Sequence, residues 1–208
     1  MLTILLLASQ LQIDTTLKRQ LDSVLFLDQH YREMLSDISD VVKRDSISRV
    51  YSIPVNQLEM SLWDRQNKID SSNLVFIENV FKKYGYPGKS LVGTPTNEAA
   101  WYVIQHSGKI DEYISMIREA GEKKELEMTK VATMEDRYLM QHKQEQIYGT
   151  QLMYNKVING VPQWFVWPIK DPTGVNDRRK KAGFDTTVEE NTKRFGANYK
   201  VIQLSDIK

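Results

Sequence analysis

A carboxylate in the apolar stripe of a helix is out of place unless it has work to do, and the chain places one at Asp28. From Thr15 to Ile38, apolar residues recur at Leu17, Leu21, Val24, Tyr31, Leu35 and Ile38, the face of an amphipathic helix. The slot skipped between Val24 and Tyr31 is filled by Asp28, with Gln29 and His30 beside it and Arg32 one turn on. His106 shares a helical face with Val103 and Ala99, and Gln105 follows Trp101 by one turn. Asp136 lies between Ala132 and Leu139, next to Arg137. A histidine oriented by a carboxylate is the elementary general-base pair, and an arginine beside it suits an anionic substrate group. Each residue also has a structural role open to it. Asp28 and Arg32 can form a register-fixing pair, and His106 can cap the C-terminal turn of its helix.

The second concentration of polar chemistry is the octapeptide QEQIYGTQ, residues 144–151, where a helical pattern gives way to a strand-like one. Gln146, Tyr148, Thr150 and Gln151 bring amides, a phenol and a hydroxyl, and Gly149 permits a positive φ or close backbone approach. Convergence of the helices carrying Asp28, His106 and Asp136 on this junction would make one polar cleft. The backbone and side chains from Tyr148 to Thr150 would then position a reacting carbonyl or phosphoryl group, with Thr150 also a possible nucleophile. The same residues can instead form a network that locks a hairpin to a bundle.

Other chemistries find little support. There is no GxSxG, P-loop, GxGxxG, HExxH or EF-hand loop, and the absence of cysteine removes thiolate nucleophiles and sulfur-bound zinc. His30, His106 and His142 lack helical ligand spacing, so no metal site is assigned, although a mixed site of His106 with Asp28 or Asp136 stays open and the cofactor is left unknown. Lys and Arg number 28 against 27 Asp and Glu, which provides no overall field for nucleic acid or an anionic membrane. DRRKK at 177–181 reads as a solvated run in a polar loop, although it has the donors to clamp an anion. The apolar run from Leu2 to Ala8 is too short to span a bilayer and suits a signal-peptide core with cleavage near Ala8 to Gln12, although no Lys or Arg precedes it. Export to the periplasm or beyond is therefore expected, with a cytoplasmic location the alternative.

The elements that must position these residues are mostly helical. After the Asp28 helix come short helices broken at Pro54, then a helix capped by Asp70, Ser71 and Ser72 and stopped at Gly85. A further helix is expected to start with Thr94 as N-cap and Pro95 at its first position, and to end at Gly108. A short amphipathic helix over IDEYISMIREAG and a longer one from Glu122 to His142 follow. Two β-rich runs around Asn159-Gly160 predict a hairpin with a type I′ turn, which pairs Tyr154 with Phe165 and Leu152 with Trp167 on a face packed against the helices. A helix ending at Gly196 and a last strand over YKVIQL complete the pattern. At 208 residues with 41% hydrophobic and 26% charged content, this reads as one mainly α domain, a helical bundle with a C-terminal β-hairpin, over 13–208.

The ordered segments DQHYRE (28–33), KYGYPGKSLVG (83–93), AAWYVIQHS (99–107), MEDRYLM (134–140) and QIYGTQ (146–151) resemble the bacterial family of unknown function DUF6624. The resemblance maps onto Asp28, Gln29, Arg32, Gly85, Pro87, Gln105, His106, Asp136, Arg137, Gln146 and Tyr148 to Gln151, while His142 and Lys143 stand where the family pattern has a glycine. It supplies no activity. The residues themselves support an enzyme of hydrolytic or group-transfer type, with His106, Asp28 and Asp136 as catalytic groups and Gln29, Arg32, Gln105, Arg137, Gln146, Tyr148, Gly149, Thr150 and Gln151 binding the ligand. The alternatives are a non-catalytic module for a small molecule or peptide, and a cell-envelope interaction protein without a pocket.

Overall fold

A computed structural model of the chain describes residues 12–157 and 161–207. The N-terminal apolar run and the Asn159-Gly160 turn lie outside these residues. Helices dominate, with one antiparallel hairpin near the C-terminus, as the patterning predicts. Among the described residues no helix is long and apolar enough to cross a membrane. The chain divides into two compact units, Met1–Ser107 and Gly108–Lys208.

The first unit contains α1 (Thr15–Asp37), α2 (Val41–Tyr51), α3 (Val55–Tyr84), α4 (Lys89–Val92) and α5 (Ala99–His106). The Asp14 carboxylate starts α1 by accepting the N–H groups of Thr16 and Leu17, two donors that no helix can satisfy for itself. Leu17, Leu21 and Val24 of α1, Leu58, Leu62, Ile77 and Phe81 of α3, and Trp101, Val103 and Ile104 of α5 form the core. Each such side chain contributes roughly 1.5–3 kcal/mol on leaving water. Pro54 does separate α2 from α3, and Gly85 ends α3 with a φ of 69°. The expected break at Asp70 to Ser72 does not occur. α3 runs unbroken through these residues because Leu58, Leu62, Gln66, Asn73 and Ile77 continue one buried face across them. Thr94 is likewise no N-cap: the Thr94-Pro95 bond is cis and a 3₁₀ turn, Thr96–Glu98, leads into α5.

In the second unit α6 (Ile110–Glu122) packs on α7 (Met128–Gln141), tied by the two Arg118 nitrogens that donate to Glu135 at 2.7 and 2.8 Å. α7 starts later than expected, since a turn with Lys124 at φ 59° follows α6. β1 (Leu152–Val157) and β2 (Val161–Val166) form the hairpin. Its register differs by one residue from that counted outward from Asn159-Gly160. Leu152 pairs with Val166, Met153 with Phe165, Tyr154 with Trp164 and Val157 with Val161, so three residues, not two, connect the strands. Because side chains alternate, that single residue reassigns every cross-strand pair. Met153, Phe165 and Trp167 pack with Ile202, Leu152 and Val166 pack with Val175 and Val188, and Tyr154 and Trp164 are exposed.

Residues 172–182 also correct the expectation of a loop. A 3₁₀ turn, Pro172–Gly174, leads into α8 (Val175–Ala182), which ends at Gly183 with φ 92°. α8 buries Val175, Arg179 and Ala182 at helical spacing, so its stripe has an arginine in the middle and reads as polar. α9 (Val188–Lys193) opens with a capping box between Thr187 and Glu190. The chain after Gly196 forms a 3₁₀ turn at Leu204–Asp206, with no strand at 199–204.

Candidate functional site

The predicted site residues fall into two groups, one within each unit. In the first, Asp28 is buried to 1% exposure on α1, and its Oδ2 lies 2.9 Å from His106 Nδ1 at the last turn of α5. The Gln29 amide nitrogen donates to the same Oδ2 at 2.6 Å. With Nδ1–H directed at the carboxylate, the lone pair of His106 is on Nε2, 3.3 Å from the Gln105 amide nitrogen. The His106 side chain is 19% exposed, so a buried carboxylate holds Nδ1 of a ring that keeps partial contact with solvent. α1 and α5 pack directly, which brings Asp28 and His106 together across a separation of 78 residues.

Arg32 keeps the ion pair with Asp28 that its spacing suggests, but as a long one, and makes a shorter pair with a second carboxylate. Its guanidinium forks onto Asp70 at 2.9 and 2.6 Å and also donates to the Asp28 carbonyl at 2.7 Å, while Asp28 Oδ1 is 3.8 Å away. The Gln66 amide nitrogen donates to Asp70 Oδ1 at 2.7 Å. Asp70 and Gln66 are therefore members of the group that sequence reasoning missed. The signal was present: both lie along the buried side of α3, but placing a helix start at Asp70 hid that periodicity. His30 goes to the Tyr51 hydroxyl at 3.1 Å and His142 to Asp111 at 2.7 Å, so the three histidines have three separate partners. Among the described residues, no three His, Asp or Glu side chains are grouped to hold a metal ion.

The second group is built around Asp136, fully buried on α7. Oδ1 accepts the N–H groups of Ile147 at 2.7 Å and Tyr148 at 3.0 Å, and Oδ2 accepts the N–H and hydroxyl of Thr150, both at 2.9 Å. Burial pushes the Asp136 carboxyl above its ordinary range, opposed by these hydrogen bonds. Gln146 works on the other side of the loop: Nε2 donates to the carbonyls of Gln151 and Trp167, and Oε1 accepts from Gln151 N–H. The Gln151 amide donates to Thr133 O and Thr150 Oγ1. Arg179 Nη1 donates to Tyr148 O at 3.0 Å, while Nε and Nη2 reach the carbonyl and hydroxyl of Thr186. Burial raises the Tyr148 phenol and lowers Arg137 and Arg179.

Within this unit the backbone donors of the QIYGTQ loop are directed at a carboxylate of the protein itself. That arrangement fixes a loop conformation, the structural alternative seen in the sequence. Gly149 is required by it twice over: its φ is 68°, and a Cβ there would lie 2.7 Å from Val188 and 2.8 Å from Ile169. Gly149→Ala is expected to destabilise the unit by about 2–3 kcal/mol in urea titration, combining a left-handed penalty with overpacking. A change under about 0.5 kcal/mol would show that the loop shifts freely.

Against known proteins, the family model described as "Family of unknown function (DUF6624)" matches residues 31–201. No curated protein and no solved structure matches the chain.

Proposed function

The chain belongs to the DUF6624 family, and from the geometry we propose that it is a hydrolytic or group-transfer enzyme whose general base is His106, oriented by Asp28. One observation carries this reading: a carboxylate buried to 1% holds Nδ1 of a part-exposed imidazole and leaves Nε2 as its basic nitrogen. In that arrangement Nε2 takes the proton of water or of a substrate hydroxyl as its oxygen attacks an acyl or phosphoryl centre. The imidazolium returns the proton to the leaving group, and Asp28 stabilises the transient charge. Gln105, beside Nε2, and Gln29, on the Asp28 carboxylate, hold both partners in register. Asp136, Gln146, Thr150, Gln151 and the backbone of Tyr148 are supporting groups in this reading, because their polar atoms are engaged within the loop and its neighbours.

The test is a panel of chromogenic esters, phosphomonoesters, phosphodiesters and amides, run on wild type and His106→Gln. Turnover of one class, reduced about 100-fold or more in the variant with an unchanged melting temperature, is the expected result. Turnover indifferent to His106, or no turnover alongside saturable ligand binding, would replace the enzyme reading by that of a small-molecule binding module.

A further inference from the structure

Two acceptor oxygens in the group around Asp28 are buried without a hydrogen bond among the described residues, although one of them, Asp28 Oδ1, has the Arg32 guanidinium 3.8 Å away. The other is Gln66 Oε1. Their residues are 1% and 0% exposed. They stand at the two ends of a continuous run of contacts, from Gln66 to Asp70, Asp70 to Arg32 and Arg32 to Asp28. An unpaired buried oxygen costs the desolvation of that group, about 1–3 kcal/mol and more for an anion.

The donors of the same wall are committed. Gln29 Nε2 donates to Asp28, Gln66 Nε2 to Asp70, and Arg32 to Asp70 and the Asp28 carbonyl. The fork that a sequence reader would offer to an anionic substrate is closed on Asp70. Two carboxylates, Asp28 and Asp70, face one guanidinium, so with His106 neutral, as a general base requires, the group carries an excess of negative charge. Acceptors without donors, in a region of net negative charge, complement a hydrogen-bond donor that is itself positive.

We infer that this site takes a primary amine, bound as an ammonium group against Asp28 Oδ1, and that the substrate is amine-bearing and not anionic. An ammonium presents three donors on a compact head, which suits an oxygen this enclosed better than a planar guanidinium does. The inference rests on the general-base reading in that the same Asp28 carboxylate orients His106 with Oδ2 and receives the amine with Oδ1. Selectivity then follows from charge: phosphate and carboxylate ligands meet Asp28 and Asp70, and amines meet unsatisfied acceptors.

The experiment uses the full chain labelled with ¹⁵N-histidine, titrated with 1,4-diaminobutane, ethylamine, sodium acetate and sodium phosphate at constant ionic strength. The expected result is a saturable shift of the His106 ring resonances with the amines and none with acetate or phosphate. Affinity should fall about tenfold in Asp28→Asn, which keeps the size but removes the charge. Gln66→Met, which removes the second acceptor while leaving Asp28 in place, should weaken amine binding severalfold and covers the case in which Asp28→Asn fails to fold. Saturation by phosphate or acetate, absence of a saturable amine response, or amine affinity unchanged in the variants overturns the inference. The ring spectra separate the two ideas. A proton on Nε2 in place of Nδ1 sinks the general-base orientation whatever the amine does, and a proton on Nδ1 with no amine response leaves that orientation standing while the amine inference falls.

Discussion

Asp136→Ala is expected to lower the unfolding free energy of the second unit by about 3–5 kcal/mol. The carboxylate serves the N–H groups of Ile147, Tyr148 and Thr150 and the Thr150 hydroxyl, from a position with no solvent exposure. Alanine leaves those donors facing an apolar gap, and each unsatisfied donor costs on the order of 1–3 kcal/mol, partly recovered where water or a shift of the loop can reach it. Asp136→Asn is nearly isosteric yet turns an NH₂ group toward N–H donors, so most of the loss is expected there as well. Urea titration gives the energy, and amide hydrogen exchange at 147, 148 and 150 gives its location. A loss under about 1 kcal/mol, with protection of those amides intact, would mean that the loop keeps its shape without Asp136.

The second large effect is expected at Arg179. It is the largest fully buried side chain among the described residues, and its guanidinium stacks over Phe184 at 4.5 Å while donating to Tyr148 O, Thr186 O and Thr186 Oγ1. Arg179→Met keeps most of the volume and removes every donor. It should cost about 3 kcal/mol, the scale of losing charged hydrogen bonds from a buried site. Arg179→Lys should recover less than half of this, since an ammonium cannot span Tyr148 and Thr186 as the fork does. Asp136 and Arg179 hold opposite ends of one residue, the N–H and C=O of Tyr148, so the double variant should fall short of the sum by about 1 kcal/mol or more. Additive losses would show that the two clamps act on independent parts of the unit.

These residues also show how far a sequence can be read. Asp28 was legible because one anion interrupts a regular apolar stripe, but the sequence offered Asp28 and Asp136 alike as the carboxylate that orients His106, and the packing of α1 on α5 selects Asp28. The bundle and the hairpin were legible for the same reason, since periodicity reports burial directly. Arg179 was hidden by its neighbours: among Arg178, Lys180 and Lys181 a single buried arginine carries no distinguishing mark, and with Val175 and Ala182 it makes a stripe that no apolar count detects. Asp70 and Gln66 were hidden by a local rule that gave the wrong answer. Asp-Ser-Ser is a good helix start in isolation, and the continuous buried face of α3 overrides it. The hairpin register failed for a similar reason, as Asn-Gly marks a favoured two-residue connection, while the packing of Phe165 and Trp167 on one side and Val166 on the other selects a pairing one residue away.

A two-stranded ribbon is marginal alone and invites further strands to add at its ends and edges. At the base of this hairpin Gln146 supplies pairing that a third strand would otherwise give. Its main chain bridges to Ile169 in parallel, and its side chain pairs with Gln151 through both N–H and C=O as a peptide group would, then reaches Trp167 O. The amide thus stands in for a missing rung and satisfies buried backbone groups at the point where the two strands end. The ribbon therefore continues past its last backbone pair through a side chain, and Gln146 is as much a part of the ladder as the strands it joins.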